Sequence, residues 1–110
     1  MSLTFKKSNN VAVLTGNLTK AKKFYSNVLN LPIDKENDDE VIFKTEDSLF
    51  YVIKGTNSTG PVLEFIVEDL EAARDHLVKN GCKIIKWEGK GKDCYLQDPL
   101  GVVFNLWKIT

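Results

Sequence analysis

No apolar run in this chain approaches the roughly 20 residues that a membrane-spanning helix needs, so nothing in it reads as a transmembrane segment. Net charge is lacking as well. Fifteen Lys and Arg balance fifteen Asp and Glu, which leaves no overall field to draw in nucleic acid or an anionic membrane, and neither partner is expected. Cysteine is scarce: Cys82 and Cys94 have neither the close paired spacing of a zinc site nor that of a redox motif. They are expected to be reduced, partly buried thiols of a cytosolic protein, with a disulfide as the alternative. The opening MSLTFKK lacks the long apolar core of a secretion signal, so a cytoplasmic location is expected. There is one histidine, His76, beside the apolar stripe of a helical segment, and its periodicity reads as a partly exposed structural residue.

What is present is globular. Hydrophobic residues at 43% and charged residues at 27% argue against disorder, and 110 residues suffice for one domain but not two independent ones. The segment NVAVL, bounded by Gly16-Asn17, reads as a strand. A helix should follow, capped by Asn17, with Leu18, Ala21, Phe24, Tyr25, Val28 and Leu29 forming one stripe against a core and Asn30 and Pro32 ending it. IFKT and LFYVI flank the turn-prone EDS as a hairpin, with a short strand expected around Ile33 to Glu36. GTNSTGP, Gly55 to Pro61, opposes both helix and strand and reads as a linker.

After it the order repeats. VLEFIV is a strand, and EDLEAARDHLVKNG is a helix capped by Asp69, striped by Leu70, Ala73 and Leu77 and closed by Gly81. Strands CKIIKW, CYLQ and VVFNLW complete the half, the last two joined by DPLG with proline at the second turn position. A shift of fifty-two residues sets Asn17-Leu18 on Asp69-Leu70, Ala21 on Ala73, Tyr25 on Leu77 and Phe43 on Tyr95, and a shift of fifty-one sets Asp47 and Leu49 on Asp98 and Leu100. This is an internal repeat of strand, helix and three strands. The chain is therefore expected to be one α+β domain, residues 1–110, of two tandem βαβββ modules, about residues 9–54 and 62–108, joined by the linker 55–61. One helix and a few strands bury too little alone, so the modules should pair as a curved mixed sheet around a concave pocket, helices outside.

The sequence resembles the vicinal oxygen chelate superfamily, which includes glyoxalase I, bleomycin-resistance proteins and extradiol dioxygenases. The resemblance runs from about Asn10 to Lys108 and is carried by NLTKAKKFYSNVLNLPI, LEFIVEDLEAARDHL and DPLGVVFNLWK. That family holds metal isomerases, oxygenases, thiol transferases and metal-free binders on one scaffold, so the resemblance implies the fold more than the chemistry. Its metal-dependent members take ligands from the first, fourth, fifth and eighth strands. Carried over, the first-strand position falls on Asn10, the fifth on Val62 and the last on Asn105, and FYVIK at the fourth offers no carboxylate or imidazole. Asn and Val supply neither the charge nor the imidazole nitrogen that holds Zn, Ni, Fe or Mn well. No metal or other cofactor is therefore expected. Resistance-type members often work as dimers, which implies a homodimer.

Several residues are candidates for ligand contact. Asn105 interrupts the apolar FNLWK, either as an amide that contacts a ligand or as one satisfied by backbone or water. Alternation puts Val103 and Trp107 on its face. Glu64 alternates with Val62 and Ile66 toward the expected concavity, where it reads as a base or cation partner, or else as a rim residue paired with Lys54 or Lys92. Tyr51, Trp87 and Tyr95 supply aromatic surface for a flat ligand or for the core. The candidate ligand set is thus Asn10, Glu64, Asn105, Trp107, Tyr51, Trp87 and Tyr95, with Glu64 the candidate catalytic residue. KIIKWEGKGKD lacks phosphate-loop spacing and reads as a solvated hairpin loop. The function these readings support is binding of an apolar or aromatic small molecule without metal, in resistance or sequestration. The alternative is a lyase, isomerase or dioxygenase-like enzyme with a rebuilt metal site or Glu64 as base.

Overall fold

The computed structural model describes residues 4–56 and 59–109, residue 59 by its backbone alone. The strands are β1 (Lys6–Lys7), β2 (Val11–Thr15), β3 (Ile33–Glu36), β4 (Glu40–Lys44), β5 (Leu49–Lys54), β6 (Thr59–Val67), β7 (Lys83–Trp87), β8 (Cys94–Gln97) and β9 (Val103–Lys108), and the helices are α1 (Leu18–Lys23) and α2 (Leu70–Lys79). The fold is α+β, and the βαβββ order occurs twice, as β2-α1-β3-β4-β5 and β6-α2-β7-β8-β9. Two compact units follow these repeats: Asn9–Val62, and the chain from Leu63 onward together with the N-terminal residues up to Ser8.

In the Asn9–Val62 unit, β2 pairs parallel with β5 (Val11 opposite Phe50) and β5, β4 and β3 follow antiparallel. Helix α1 starts where expected, because Asn17 Oδ1 accepts the Lys20 backbone N–H at 3.0 Å and so satisfies one of the free amides of the first turn. Its end differs from expectation. After Lys23 the chain widens into a π-helical turn, Phe24–Val28, with the Leu29 N–H donating to the Phe24 carbonyl at 3.2 Å. The wider turn rotates the stripe out of phase. Leu18, Ala21 and Tyr25 pack on the core of Val41, Phe43 and Val52, while Phe24, Val28 and Leu29 stay 48%, 64% and 50% exposed. Asn30 ends the segment at φ 57°, a left-handed conformation that asparagine tolerates better than most residues.

In the second unit the strand order is β1-β6-β9-β8-β7, with β6 and β9 parallel and the other pairs antiparallel. Asp69 caps α2 by accepting the Ala72 N–H at 3.0 Å, and Gly81 takes φ 101° just past its end. The buried face of α2, Leu70 and Ala73, meets Val67, Cys82, Cys94, Leu96, Phe104 and Leu106 in one core. Phe65 and Phe104 meet edge to face at 5.2 Å inside the same unit.

The expected linker is shorter than its composition suggests. Residues 57 and 58 lie outside the described residues, but β6 begins at Thr59 and so includes Gly60 and Pro61. The register slips between the Ala12–Val62 and Leu14–Thr59 pairs, and such a bulge lets a strand carry a proline that cannot donate to the ladder. The end of the repeat also differs from the letter alignment. Leu49 opens β5, whereas Leu100 lies in the turn before β9, so strand Leu49–Lys54 corresponds to Val103–Lys108. Among the described residues no helix is long and apolar enough to cross a membrane.

Candidate functional site

The strand registers divide each sheet into two faces. In the second unit, Leu63, Phe65, Val67, Cys94, Leu96, Phe104 and Leu106 belong to the core under α2. Alternation sends Glu64, Ile66, Tyr95, Gln97, Val103, Asn105 and Trp107 to the opposite face. The pairings then align them. Glu64 lies opposite Asn105 across β6 and β9, Asn105 opposite Tyr95 across β9 and β8, and Tyr95 opposite Lys86 across β8 and β7. One row across the sheet thus carries a carboxylate, an amide, a phenol and an ammonium. Beside it, Ile66 lies opposite Trp107, and Val103 opposite Gln97.

Asn105 does local structural work. Its Oδ1 accepts the Cys94 backbone N–H at 2.9 Å, the first amide of β8, at the mouth of the 88–93 hairpin loop. Because a backbone N–H can only donate, this bond also settles which end of the amide is oxygen. Two N–H donors are what Asn105 has left to offer. We expect Asn105→Ala to lower stability by about 1–2 kcal/mol through loss of this partly buried acceptor, and Asn105→Asp, which keeps an oxygen there, to lower it less; urea denaturation monitored by tryptophan fluorescence measures both.

The other sequence candidates divide clearly. Tyr95 is 8% exposed and Trp107 40%, both on the face of Asn105. Trp87 is on the opposite face: it lies opposite Cys94, packs on the α2 core, and the Arg74 guanidinium sits 5.0 Å from its ring centroid. It therefore does not share a surface with Asn105, and its flat ring serves helix-to-sheet packing and a cation–π contact. In the other unit, Tyr51 lies opposite Ala12 and Ile42, on the side away from the Val41–Phe43–Val52 core. There Asn10 Oδ1 accepts the Leu49 N–H at 2.9 Å, and Val62 is 3% exposed. His76 is exposed and stacks on Phe5 at 6.3 Å.

Sequence reasoning missed Lys86. Strict alternation in KIIKW does not pair it with Tyr95, but the register slips between Ile84 and Lys86, and that bulge resets its side. Its charge is neutralised within the hairpin, since Nζ is 3.0 Å from Asp93 Oδ2 and 3.8 Å from Glu88 Oε1, and the bond to Asp93 raises its pKa above the ordinary lysine value. The loop is accordingly a self-paired hairpin turn, with Gly89 and Gly91 at φ 96° and 76°. A surface hollow of about 350 Å³ lies at the β3–β4 hairpin, lined by Lys35, Glu36, Asn37, Glu40 and Ile42; none of these is a sequence candidate.

Both cysteines are buried free thiols. Burial is the larger cause that pushes the Cys82 thiol pKa up, with Asp98 adding to it. Burial also dominates at Cys94, partly offset by its hydrogen bond to the Gly89 carbonyl at 3.2 Å. Neither is a poised nucleophile. A thiol whose folded pKa is raised contributes stability that is full below its unfolded pKa and is lost as pH rises toward the folded value. We expect thiol-specific reagents at pH 7.5 to label both residues only through opening of the fold, and stability to fall above about pH 8.5, where an unfolded thiol begins to ionise; labelling kinetics with and without urea, and melting from pH 7 to 10, measure these.

The positions that the family resemblance assigns to metal ligands do not fit a divalent ion. The oxygens of Asn10 and Asn105 each accept a backbone N–H, and Val62 is apolar. Among the described residues no group of three or more His, Cys, Asp or Glu could hold a metal.

The family model for the Glyoxalase/Bleomycin resistance protein/Dioxygenase superfamily matches residues 7–106, and the chain belongs to that superfamily. No curated protein matches the sequence. Among solved structures, a hypothetical protein from Bacillus halodurans C-125 is similar at 12% identity and a TM-score of 0.68, over 96% of this chain and 95% of that one. Homoprotocatechuate 2,3-dioxygenase from Brevibacterium fuscum, in complex with 3,4-dihydroxyphenylacetate, is similar at 19% identity and a TM-score of 0.68, over 96% of this chain and 37% of that one. A Mn(II)-bound glyoxalase from Novosphingobium aromaticivorans is similar at 17% identity and a TM-score of 0.67, over 97% and 40%. The chain spans less than half the length of either enzyme, and identities this low speak to fold alone.

Proposed function

We propose that this chain is a metal-free small-molecule-binding protein of the superfamily, cytoplasmic and homodimeric, that sequesters an apolar or aromatic compound as resistance proteins do. The observation that carries this reading is the use of Asn10 and Asn105. The family resemblance puts metal-ligand positions on both amides, and both spend their oxygen on a backbone N–H. A ligand exchange at either position would leave a strand-opening amide without its acceptor. Tyr95 and Trp107 beside Asn105 supply surface for a flat compound.

The test is metal content of protein purified without chelator, with thermal-shift titrations of Ni, Zn, Mn, Co and anaerobic Fe(II). No stoichiometric ion and no saturable shift is the expected result. One tightly bound ion that raises the melting temperature would overturn the reading, because a ligand of the native state must stabilise it. Light scattering of the eluting protein tests the dimer.

One observation favours a second reading, an enzyme that uses Glu64 as a metal-independent base. Glu64 is only partly exposed and, among the described residues, its carboxylate has no ion-pair or hydrogen-bond partner. On this reading Glu64→Gln abolishes turnover and spares the fold; unchanged turnover would exclude the role.

A further inference from the structure

Glu64 and Asn105 present opposite hydrogen-bonding characters at one spot. They are direct partners across parallel strands, on the face away from the core, about 4.8 Å apart at the backbone as adjacent strands are. The Glu64 carboxylate can only accept. Asn105, with Oδ1 held by the Cys94 N–H, can only donate. No hydrogen bond joins the two, and among the described residues neither the carboxylate nor the amide NH2 has a protein partner. The bulge-free parallel pairing on both sides of them, Leu63 with Phe104 and Phe65 with Leu106, fixes the pair on rigid elements rather than loops.

The surroundings restrict what fits. Ile66 and Trp107 form the next pair along the same face, Val103 lies on the other side, and Tyr95 is the neighbour of Asn105 on β8. A simple cation would satisfy Glu64 and leave the amide donors without an acceptor; a simple anion would satisfy the amide and be repelled by the carboxylate. A ligand edge that carries an N–H beside a C=O satisfies both at once.

We propose that Glu64 and Asn105 together read the donor–acceptor edge of a planar, uncharged small molecule, a lactam or cyclic cis-amide fused to an aromatic ring, with its N–H on the Glu64 carboxylate, its carbonyl oxygen on the Asn105 NH2, and its ring toward Trp107. The assignment rests on the small-molecule-binding reading above and names the ligand class for it. It gives Glu64 a recognition role that needs no proton transfer.

The test uses the full chain and two probes, 2-quinolone and N-methyl-2-quinolone, followed by tryptophan fluorescence and by chemical shifts of the Glu64 and Asn105 amides. The methyl group removes the donor while keeping the ring and the carbonyl. We expect 2-quinolone to bind at least about tenfold more tightly, since losing a hydrogen bond to a charged group leaves that group unpaired. Glu64→Ala should erase the preference, and Asn105→Asp should weaken both probes alike, because it removes the donor to the carbonyl they share; the second keeps an acceptor for the Cys94 N–H, and melting curves of both variants confirm the fold. Equal binding of the two quinolones, a preference that survives Glu64→Ala, or undiminished binding of both probes by Asn105→Asp overturns the inference and leaves the small-molecule reading standing. Failure of both probes to bind also overturns it, and the metal titration then decides the broader reading independently.

Discussion

Replacing Phe43 by alanine is expected to destabilise the protein by about 3–5 kcal/mol, a large share of the 5–15 kcal/mol that holds most domains folded. The ring is completely buried, in a core whose other fully enclosed residues, among the described ones, are Val41 and Val52. Tyr25 lies 5.9 Å from it and Phe50 6.2 Å, and Tyr25 and Phe50 meet edge to face at 4.9 Å. Truncation removes the ring's own burial and also leaves two aromatic neighbours facing a void. Neither can move in to fill it freely, since Tyr25 is held on the π-helical turn and Phe50 in β5 between two paired strands. Urea denaturation should show a lower midpoint, with the π-helical turn among the first segments to lose amide protection, since Tyr25 is its anchor to the sheet. A change below about 1 kcal/mol would mean that this unit repacks in a way the three-ring cluster does not suggest.

The parts of the fold that were legible in the sequence are those governed by local chemistry. Asn17 and Asp69 cap helices because a short side-chain oxygen there reaches a free amide three residues on, and both do so at 3.0 Å. The repeat was visible because those caps, and the strands before them, recur at one spacing. What was not legible depends on register. The π-helical turn put Phe24, Val28 and Leu29 outside a stripe that a regular helix would have buried, and the bulge in β7 moved Lys86 into the row of Asn105. A single inserted residue changes the face of everything after it, and nothing in the residue types announces the insertion. Trp87 shows the same limit from the other side: its strand was legible, its face was not, and the face decides between packing and ligand contact. For Asn105 the sequence left two readings open. The bond to Cys94 accounts for the oxygen and leaves the NH2 to be explained.

Asp98→Ala is expected to cost about 2–4 kcal/mol, because its carboxylate accepts two backbone N–H groups and hydrogen bonds to charged groups contribute about 1.5–3 kcal/mol each, discounted for exposure. Asp98 Oδ1 takes the Leu100 N–H at 2.8 Å and the Val102 N–H at 2.9 Å, while its own N–H and carbonyl close the turn on Val102 and Gly101. Pro99 sets the backbone of the second position, and Gly101 adopts φ 95°, so in the DPLG turn Asp98, Pro99 and Gly101 each have a separate mechanical duty. The consequence reaches the site. This turn sets the register of β9 on β8, which places Asn105 opposite Tyr95; a slip by one residue would send Asn105 to the core side and Phe104 to the other. Asp98→Asn keeps a neutral acceptor and should cost about 1 kcal/mol, as a neutral hydrogen bond replaces a charged one. Loss of the charge should also let the Cys82 pKa fall part of the way back, only part because burial is the larger cause of its rise. Denaturation midpoints of the two variants, read together with the pH dependence of their melting between pH 7 and 10, separate the two effects. Equal stability of wild type and Asp98→Ala would show that Pro99 and Gly101 hold the turn without the carboxylate.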